Sequence, residues 1–334
     1  MTFGLYIKAK ACDKIGDPFF SLPTVMSLTL SPTYLRLVPL IFVWVWSTGF
    51  LVAKFGKTNA EPFTLLSYRF ALVLMALWLI IKIVGCRWPT NWRLVMHCMV
   101  VGLLLHGLYL GGIFQAISLG MPAGLSAMVI GLQPLTMALF AGLMLGESVS
   151  KRQWLGLVMG LIGLGLVLAE QFALDTTTMF EGFSGWAVVL VVAALMGISI
   201  GTLYQKKFCH EVELLNSIWL QYAAALVLTL LVAFNFETRV VNWQWPFIVS
   251  LAWQVLALSI GAVLLLMIMI RQGAATKVGS LFYLVPPTVA LQAWFLFGEA
   301  IGLQGLVGIT LIAAGVAQAL SLIHISEPTR RRGI

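Results

Sequence analysis

The sequence predicts an all-α polytopic membrane protein with ten transmembrane helices, arranged as two inverted five-helix repeats. Three observations carry this prediction: the composition, the length of the apolar runs and an internal repeat. Of the 334 residues, 60% are hydrophobic and only 10% are charged, and the mean hydropathy is +0.99. That leaves too little polar surface to cover a water-soluble protein of this length, so the expected solvent is lipid.

The apolar runs have the length of membrane-spanning helices. A helix needs about 20 mostly apolar residues to cross roughly 30 Å of hydrocarbon. Dividing the chain at its charged, proline-containing and glycine-rich points gives ten such stretches, at about 36–54, 63–83, 94–117, 122–145, 153–169, 185–205, 214–235, 246–270, 275–297 and 301–320. Because these runs do not alternate apolar with polar residues, they are not typical of barrel strands.

The internal repeat is a shift of the chain on itself by 152 residues, the separation of Glu147 and Glu299 (299 − 147). Each of these glutamates follows a glycine at the end of an apolar stretch that also contains proline. The same shift pairs Ser47 with Ser199, Lys54 with Lys206, Arg69-Phe70-Ala71 with Gln221-Tyr222-Ala223, Gly156 with Gly308, and Gly163 with Gly315. A repeat this long is a duplicated half, 36–170 and 185–320, and not a solenoid unit.

Cationic residues predict the orientation, because Lys and Arg in short loops resist translocation. One side of the predicted topology holds Lys8, Lys10, Lys14, Arg36, Lys82, Arg87, Arg93, Lys151, Arg152, Lys206, Lys207, Arg271 and Lys277, and the other holds Lys54, Lys57 and Arg239. We therefore expect both termini on the cytoplasmic side of a bacterial inner membrane. The net charge of +8 then reflects orientation and not nucleic-acid binding.

Both ends of the chain fall outside the repeats. Residues 1–35 form an N-terminal cytoplasmic segment, and because Met26 leads directly into the first span, we expect an upstream start miscall or a short interfacial helix. Residues 321–334 resemble the conceptual translation of a transposase adapter used to build sequencing libraries, so we expect a non-native tail. The four cysteines form no CxxC pair, and no metal site or cofactor is expected.

The order of short motifs within the repeats resembles the EamA family of the drug/metabolite transporter superfamily. The motifs are Trp46-Ser47-Thr48-Gly49-Phe50 in the first span, Arg69-Phe70 after Pro62 in the second, Pro134 and Leu145-Gly146-Glu147 in the fourth, and Gln153-Trp154-Leu155-Gly156 opening the fifth. The resemblance covers about 36–320. It implies a ten-helix exporter or importer of small metabolites, with a central cavity between the halves. We expect export, with amino-acid-like compounds as the default substrates.

The odd number of spans in each half predicts the mechanism. Five spans force the second half to enter the membrane from the opposite face, which makes the repeat an inverted one. Inward-open and outward-open states then arise when the halves exchange shapes, so alternating access is favoured. The alternative is that duplication only built a stable bundle. Helix breaks or gating elements are expected at Pro134, Pro286, Pro287, Glu147 and Glu299, although end-of-helix ion pairs are the simpler interpretation of the glutamates.

Arg69 is the strongly charged residue that lies well inside a predicted span, about seven residues or 10 Å from its outer end. It either anchors an anionic group of the substrate or forms a structural pair between helices. His106 and Tyr109, one turn apart, either contact substrate and relay protons or join helices as neutral residues. The full set of candidate cavity residues is Trp46, Ser47, Arg69, His106, Tyr109, Gln115, Gln133, Tyr204, Gln221, Tyr222, Gln254 and Tyr283.

Three functional classes compete. A secondary transporter of small organic molecules is favoured, and no mid-span carboxylate is present to support ion coupling through a buried acid. A membrane enzyme is not favoured, because the chain contains no HExxH, GxSxG or paired intramembrane aspartates. The remaining alternative is a channel or a non-transporting scaffold. The expected partners are the lipid bilayer and a small-molecule substrate, with no nucleic acid.

Overall fold

The computed structural model describes residues 32–56, 59–121, 126, 129–173, 183–272, 275–297 and 302–320. Over these residues the chain is helical apart from its connections and one isolated bridge between Ala60 and Val241. The two terminal segments set aside above, 1–31 and 321–334, lie outside the described residues, as does Glu299.

Ten helical segments follow one another in the described part of the chain. They are α1 Pro32–Gly56, α2 Pro62–Val84, α3 Trp92–Ser118, α4 Gln133–Leu145, α5 Lys151–Ala173, α6 Gly185–Phe208, α7 Leu214–Phe236, α8 Trp245–Arg271, α9 and α10 Leu303–Leu320. Segment α9 consists of the helix Ala275–Ser280, the 3₁₀ turn Leu281–Leu284 and the helix Val285–Phe297. Each of the predicted stretches overlaps one of these segments, and α4 follows helical residues at 126 and 129–130.

Five of these helices are long and apolar enough to cross a membrane: α2, α3, α6, α7 and α8. Only 44–56% of their apolar windows is buried inside the protein. The remaining apolar faces, which include Met75 at 68% exposure and Phe234 at 65%, therefore need hydrocarbon around them. Several other segments are apolar but shorter, so the count of ten spans stays a prediction.

The helix ends have local causes in the sequence. Helix α2 begins at Pro62, whose missing N–H falls where a helix has no internal partner for it. The C-cap residues of α2 and α4 are Gly85 and Gly146, with φ values of 75° and 67° that favour glycine. Ser184 caps α6 by accepting a hydrogen bond from the Trp186 amide at 3.2 Å. These four residues set the limits of three of the apolar helices.

The helix irregularities recur at the repeat spacing. Helix α3 contains a π-helical stretch at Leu103–Leu110, and α8 contains one at Gln254–Ala262. A shift of 152 moves the first onto 255–262. The 3₁₀ turn of α9 at Leu281–Leu284 likewise maps onto 129–132, where a turn precedes α4. The two halves are therefore distorted at the same places.

The prolines at which helix breaks were expected do not lie in the middle of a helix. Pro134 is in the first turn of α4, after the turn at residues 131–132. Pro286 has the equivalent place, directly after the 3₁₀ turn and one residue inside the helix Val285–Phe297. A first-turn proline removes no helical hydrogen bond, so the irregular backbone lies before each proline and not after it.

Some contacts between the halves occur twice, at positions 152 residues apart, and the backbone contact between α5 and α10 is one of them. A Cβ atom at Gly163 would lie 2.7 Å from the carbonyl oxygen of Gly308, and one at Gly315 would lie 2.6 Å from that of Gly156. Since 163 + 152 = 315 and 156 + 152 = 308, this is one contact made twice. Glycine is required at these sites because the backbones touch.

A second reciprocal pair joins α2 and α7 to the neighbouring connections. Glu61, just before α2, accepts a hydrogen bond from the Thr238 hydroxyl at 2.7 Å after α7. The carboxylate of Glu213, just before α7, lies close enough to Cys86 after α2 to raise the pKa of that thiol. The shift of 152 maps Glu61 onto Glu213 and Cys86 onto Thr238. Each end of the α2–α7 pair therefore brings a glutamate to the residue that follows the other helix.

Candidate functional site

A cavity lies between the halves, with about 1410 Å³ of empty volume when its open mouth is included. Residues of α1, α2, α3, α6, α7 and α8 line it, together with Ser126 and Ile130 before α4. Its lining includes Ala60, just before α2, and the exposed Ser118 at the end of α3, and we call this end the mouth. Its walls are mostly aliphatic and aromatic, as is typical of small-molecule sites.

Arg69 carries the positive charge of this cavity. Its side chain is only 6% exposed, because α2 packs against the π-helical stretch of α8. The Arg69 Nε donates a hydrogen bond to Ser259 Oγ at 2.8 Å, and Nη1 donates to Gln254 Oε1 at 3.3 Å. Both acceptors are neutral, so they hold the guanidinium group in place without neutralising it.

An aromatic cluster forms the wall beside Arg69. The His106 ring stacks on Tyr222 with centroids 4.1 Å apart and planes 18° apart, and Phe70 approaches the same histidine at 6.0 Å. The Tyr222 hydroxyl donates to the Ser259 carbonyl oxygen at 3.1 Å, so one serine joins the cluster to the arginine. His106 Nε2 is buried and has no hydrogen-bond partner among the described residues.

The end of the bundle opposite the mouth is closed by polar contacts. Lys206, near the end of α6, pairs with Glu147, just after α4, at 2.6 Å. His97 of α3 and Tyr204 of α6 share a hydrogen bond at 2.7 Å at the same end. Lys206 lies eight residues, or about 12 Å along the helix, beyond the cavity-lining Ile198. Within the described residues, the lining of the cavity therefore stops short of this end of the bundle, which we call the closed end.

The structure brings six of the predicted site residues together. The cavity-lining ones are Trp46, Arg69, His106, Tyr109, Tyr222 and Gln254. Gln115, on α3, is not among the lining residues. Ser47, Gln133, Gln221 and Tyr283 are instead fully or almost fully buried in helix contacts, and Tyr204 belongs to the closed end.

Two of the predicted site residues that lie outside the cavity, Ser47 and Gln221, have clear structural contacts. The Ser47 Oγ donates to the carbonyl oxygens of Val43 and Val285, at 2.7 and 3.4 Å, and so reaches the irregular backbone before Pro286 and Pro287. The Gln221 Nε2 donates to Gln205 Oε1 at 2.9 Å. These side chains fit the interpretation of polar residues that join helices.

The sequence reasoning missed three residues of this region. Ser259 holds Arg69, Lys206 pairs with Glu147, and Ser126 lines the cavity with a buried hydroxyl that has no partner among the described residues. The repeat gives no sign of Ser259, because its equivalent is Gly107. Lys206 could have been found, since both it and Glu147 recur at the shift of 152.

Comparison with known proteins gives a consistent result. A family model described as the EamA-like transporter family matches residues 36–169 and 185–321. The "Uncharacterized transporter YvbV" of Bacillus subtilis (strain 168) is 27% identical over 315 residues, which is 89% of this chain and 98% of that protein. The "Probable amino-acid metabolite efflux pump" of Escherichia coli (strain K12) is 30% identical over 168 residues, 50% of this chain and 52% of that protein.

The fold also occurs in a solved structure. A crystal structure with 22% sequence identity superimposes with a TM-score of 0.71, covering 87% of this chain and 98% of the other. At this identity the likeness establishes the arrangement of the helices and nothing about what they bind.

Proposed function

Because the chain belongs to the EamA-like transporter family, we propose that this membrane transporter exports small organic metabolites, such as amino-acid-like compounds, by alternating access. The family match and the named transporters among its relatives support transport across a membrane. The amino-acid-like class rests on the relative described as an amino-acid metabolite efflux pump.

The observation that carries the mechanism is the one-sided cavity. Its lining runs from the mouth near Ala60 and Ser118 to Ile198 and Met267 inside the bundle, and the Lys206–Glu147 pair lies beyond. A channel would need a path open at both ends, whereas a carrier exposes its site to one side at a time. A cavity closed at one end is therefore the geometry of one state of a carrier.

The reciprocal contacts support two related conformations. The contact between Gly163 and Gly308 recurs between Gly315 and Gly156, so each half contacts the other through equivalent residues. With five spans in each half, such a relation is an inverted repeat. Exchanging the shapes of the halves would then close the present mouth and open the other end.

The cationic residues indicate which end of the transporter faces the cytoplasm. Lys206, Lys207, Lys151 and Arg152 cluster at the closed end, which we assign to the cytoplasm of a bacterial inner membrane. The cavity described here would then face outward. A reporter fused after Gln171 checks this assignment, since the proposal places that residue outside, and cytoplasmic activity of the fusion would overturn it.

Counterflow in proteoliposomes tests the transport function. Purified protein is reconstituted with an unlabelled panel of amino-acid-like metabolites inside, and uptake of each labelled compound is followed. We expect saturable accumulation of at least one compound, lost in Gly49→Phe, which fills the cavity beside Leu258. Gly165→Phe is the matched control, because nothing lies within 4 Å of a Cβ there. Absence of saturable flux for the whole panel would refute the proposal.

A further inference from the structure

The guanidinium group of Arg69 has N–H donors that make no hydrogen bond to the described residues. Of its five N–H groups, the Nε–H bonds to Ser259 and one N–H of Nη1 bonds to Gln254, which leaves three without a partner among the described residues. Arg69 also lines the cavity. A group that accepts two parallel hydrogen bonds, as a carboxylate does, matches this unused side of the fork.

No carboxylate of the protein competes for that position within the described residues. The acidic side chains that the structure describes are all engaged at the ends of helices: Glu61 and Glu237 in the connection between α2 and α7, Glu147 on Lys206, Glu211 near His210, and Glu213 by Cys86. The cavity therefore contains a cation held by neutral amide and hydroxyl groups. A buried cation of this kind is stabilised when an anion binds beside it.

The lack of acidic side chains in the described cavity lining also disfavours binding of an ammonium group there. A bound ammonium would need a carboxylate or several free acceptors. The described lining contains no aspartate or glutamate, and its acceptors without a partner are the neutral His106 Nε2 and Ser126 Oγ. Gln254 Oε1, the nearest amide acceptor, is already used by Arg69, and the Tyr222 hydroxyl is turned toward Ser259. Arg69 would in addition repel the ammonium group at close range.

The positive charge in the described cavity lining comes from one half of the protein, through Arg69. The residue equivalent to Arg69 is Gln221, which is fully buried and donates to Gln205 and Ser217. The equivalent of Gln254 is Gly102, whose missing side chain lets the backbone of Gln221 approach. Among the described lining residues, the repeat therefore provides one cationic site and no carboxylate that could hold the ammonium group of a zwitterion.

We propose that the cavity selects organic monoanions: molecules with one carboxylate and an apolar body that lack an ammonium group. The carboxylate binds the free N–H groups of Arg69, and the apolar body lies against Leu65, Leu105 and Ile130. This inference rests on the proposed transport function and narrows its substrates from amino-acid-like compounds in general to their deaminated or otherwise amine-blocked relatives.

This inference is tested by comparing the binding of compounds that share an isobutyl group and differ in their polar group. Purified protein in nanodiscs is titrated with labelled 4-methylpentanoate, and leucine, 4-methylpentanamide and 3-methylbutylamine are used as competitors. We expect the carboxylate to bind at least about tenfold more tightly than the amide, the zwitterion and the amine. Equal or tighter binding of leucine or of the amine would overturn the selection rule.

Two variants assign the effect to Arg69. Arg69→Gln introduces the residue that the second half has at this position, and Gln254→Glu places a carboxylate 3.3 Å from Nη1 while leaving the arginine intact. Both should remove the preference for 4-methylpentanoate over its amide, the first by removing the charge and the second by neutralising it. If the preference survives in Gln254→Glu with the protein folded, the carboxylate does not bind at Arg69.

A flux measurement separates this inference from the transport proposal. Counterflow with 3-methylbutane-1-sulfonate is suitable because a permanently charged anion leaks slowly through lipid. Saturable flux of the sulfonate that Arg69→Gln abolishes supports both proposals. Saturable flux of leucine but not of the sulfonate would overturn the anion selectivity and keep the transporter. Selective binding of 4-methylpentanoate with no flux of any compound would keep the site and overturn transport.

Discussion

Lys206 and Glu147 join the two halves of the protein at the closed end of the cavity, with the ammonium nitrogen 2.6 Å from the carboxylate oxygen. Their side chains are 26% and 19% exposed, so water only partly screens the pair. The contact fastens the end of α6 to the residue that follows the C-cap glycine of α4. Any motion that opens this end must separate them.

Breaking the pair should make the closed end more accessible. In Lys206→Met, a loss of about 1 kcal/mol from the closed form would raise the open population roughly fivefold. The measurement is labelling of Ile198→Cys by an impermeant maleimide in inside-out vesicles, in a background without native cysteines. Ile198 is suitable because it lines the cavity and is only 1% exposed.

The charge swap is the control for this prediction. Lys206→Glu combined with Glu147→Lys keeps an ion pair at the same place and should return labelling toward that of the parent protein. If the single variants label at the parent rate, the pair does not hold this end closed.

The glycine contact between α5 and α10 should be intolerant of a single methyl group. In Gly163→Ala the added Cβ would lie 2.7 Å from the carbonyl oxygen of Gly308, which forces the helices apart. We expect a loss of about 1–3 kcal/mol and a fall in Tm of several degrees, measured by thermal unfolding in detergent.

Gly165→Ala controls for the helix itself, because nothing lies within 4 Å of a Cβ at that position. It should leave the Tm unchanged or raise it slightly, since alanine favours helix over glycine. Equal stability of Gly163→Ala and Gly165→Ala would mean that α5 and α10 are not in backbone contact.

Cys86 should be a slow thiol. Burial, reinforced by the hydrogen bond with the Glu213 carboxylate and by its charge, raises the pKa of Cys86 to about 11 from 9.0. At pH 8 the thiolate fraction is therefore about a hundredfold lower than for an ordinary cysteine. In a protein with Cys86 as its single cysteine, N-ethylmaleimide should react slowly and the rate should keep rising up to about pH 11.

Glu213→Gln isolates the carboxylate contribution to this pKa. The variant keeps the shape of the side chain and removes its charge, so the pKa of Cys86 should fall and the rate at pH 8 should rise. The burial contribution remains, so the rate should stay below that of a free thiol. A rate in the parent protein equal to that of a free thiol would contradict the Cys86–Glu213 contact.

Much of the architecture was predictable because apolar runs and a repeat are properties of the sequence alone. The shift of 152 predicted that Pro134 and Pro286 occupy equivalent places, and the structure puts both directly after irregular turns. It did not predict the π-helical stretches in α3 and α8, because these lack prolines and depend on packing against neighbouring helices.

The site was predictable only in part. Arg69 stood out because a cation inside an apolar span is costly, and the structure places it in the cavity. Its partner Ser259 could not be predicted, since a serine in an apolar helix gives no sign of which helix it faces. Gln221 and Tyr283 were chosen on the same grounds as Tyr222, yet they are not among the cavity-lining residues, because the choice depends on helix rotation.

The reciprocal glycine contacts give this protein an internal replicate. Gly163→Ala and Gly315→Ala are one perturbation applied twice, at 2.7 and 2.6 Å from equivalent carbonyl oxygens. In a perfectly symmetric molecule the two substitutions would cost the same free energy. A difference between the two free-energy costs, in kcal/mol, therefore measures the structural asymmetry of the two halves in the populated conformation. No second protein is needed for the comparison.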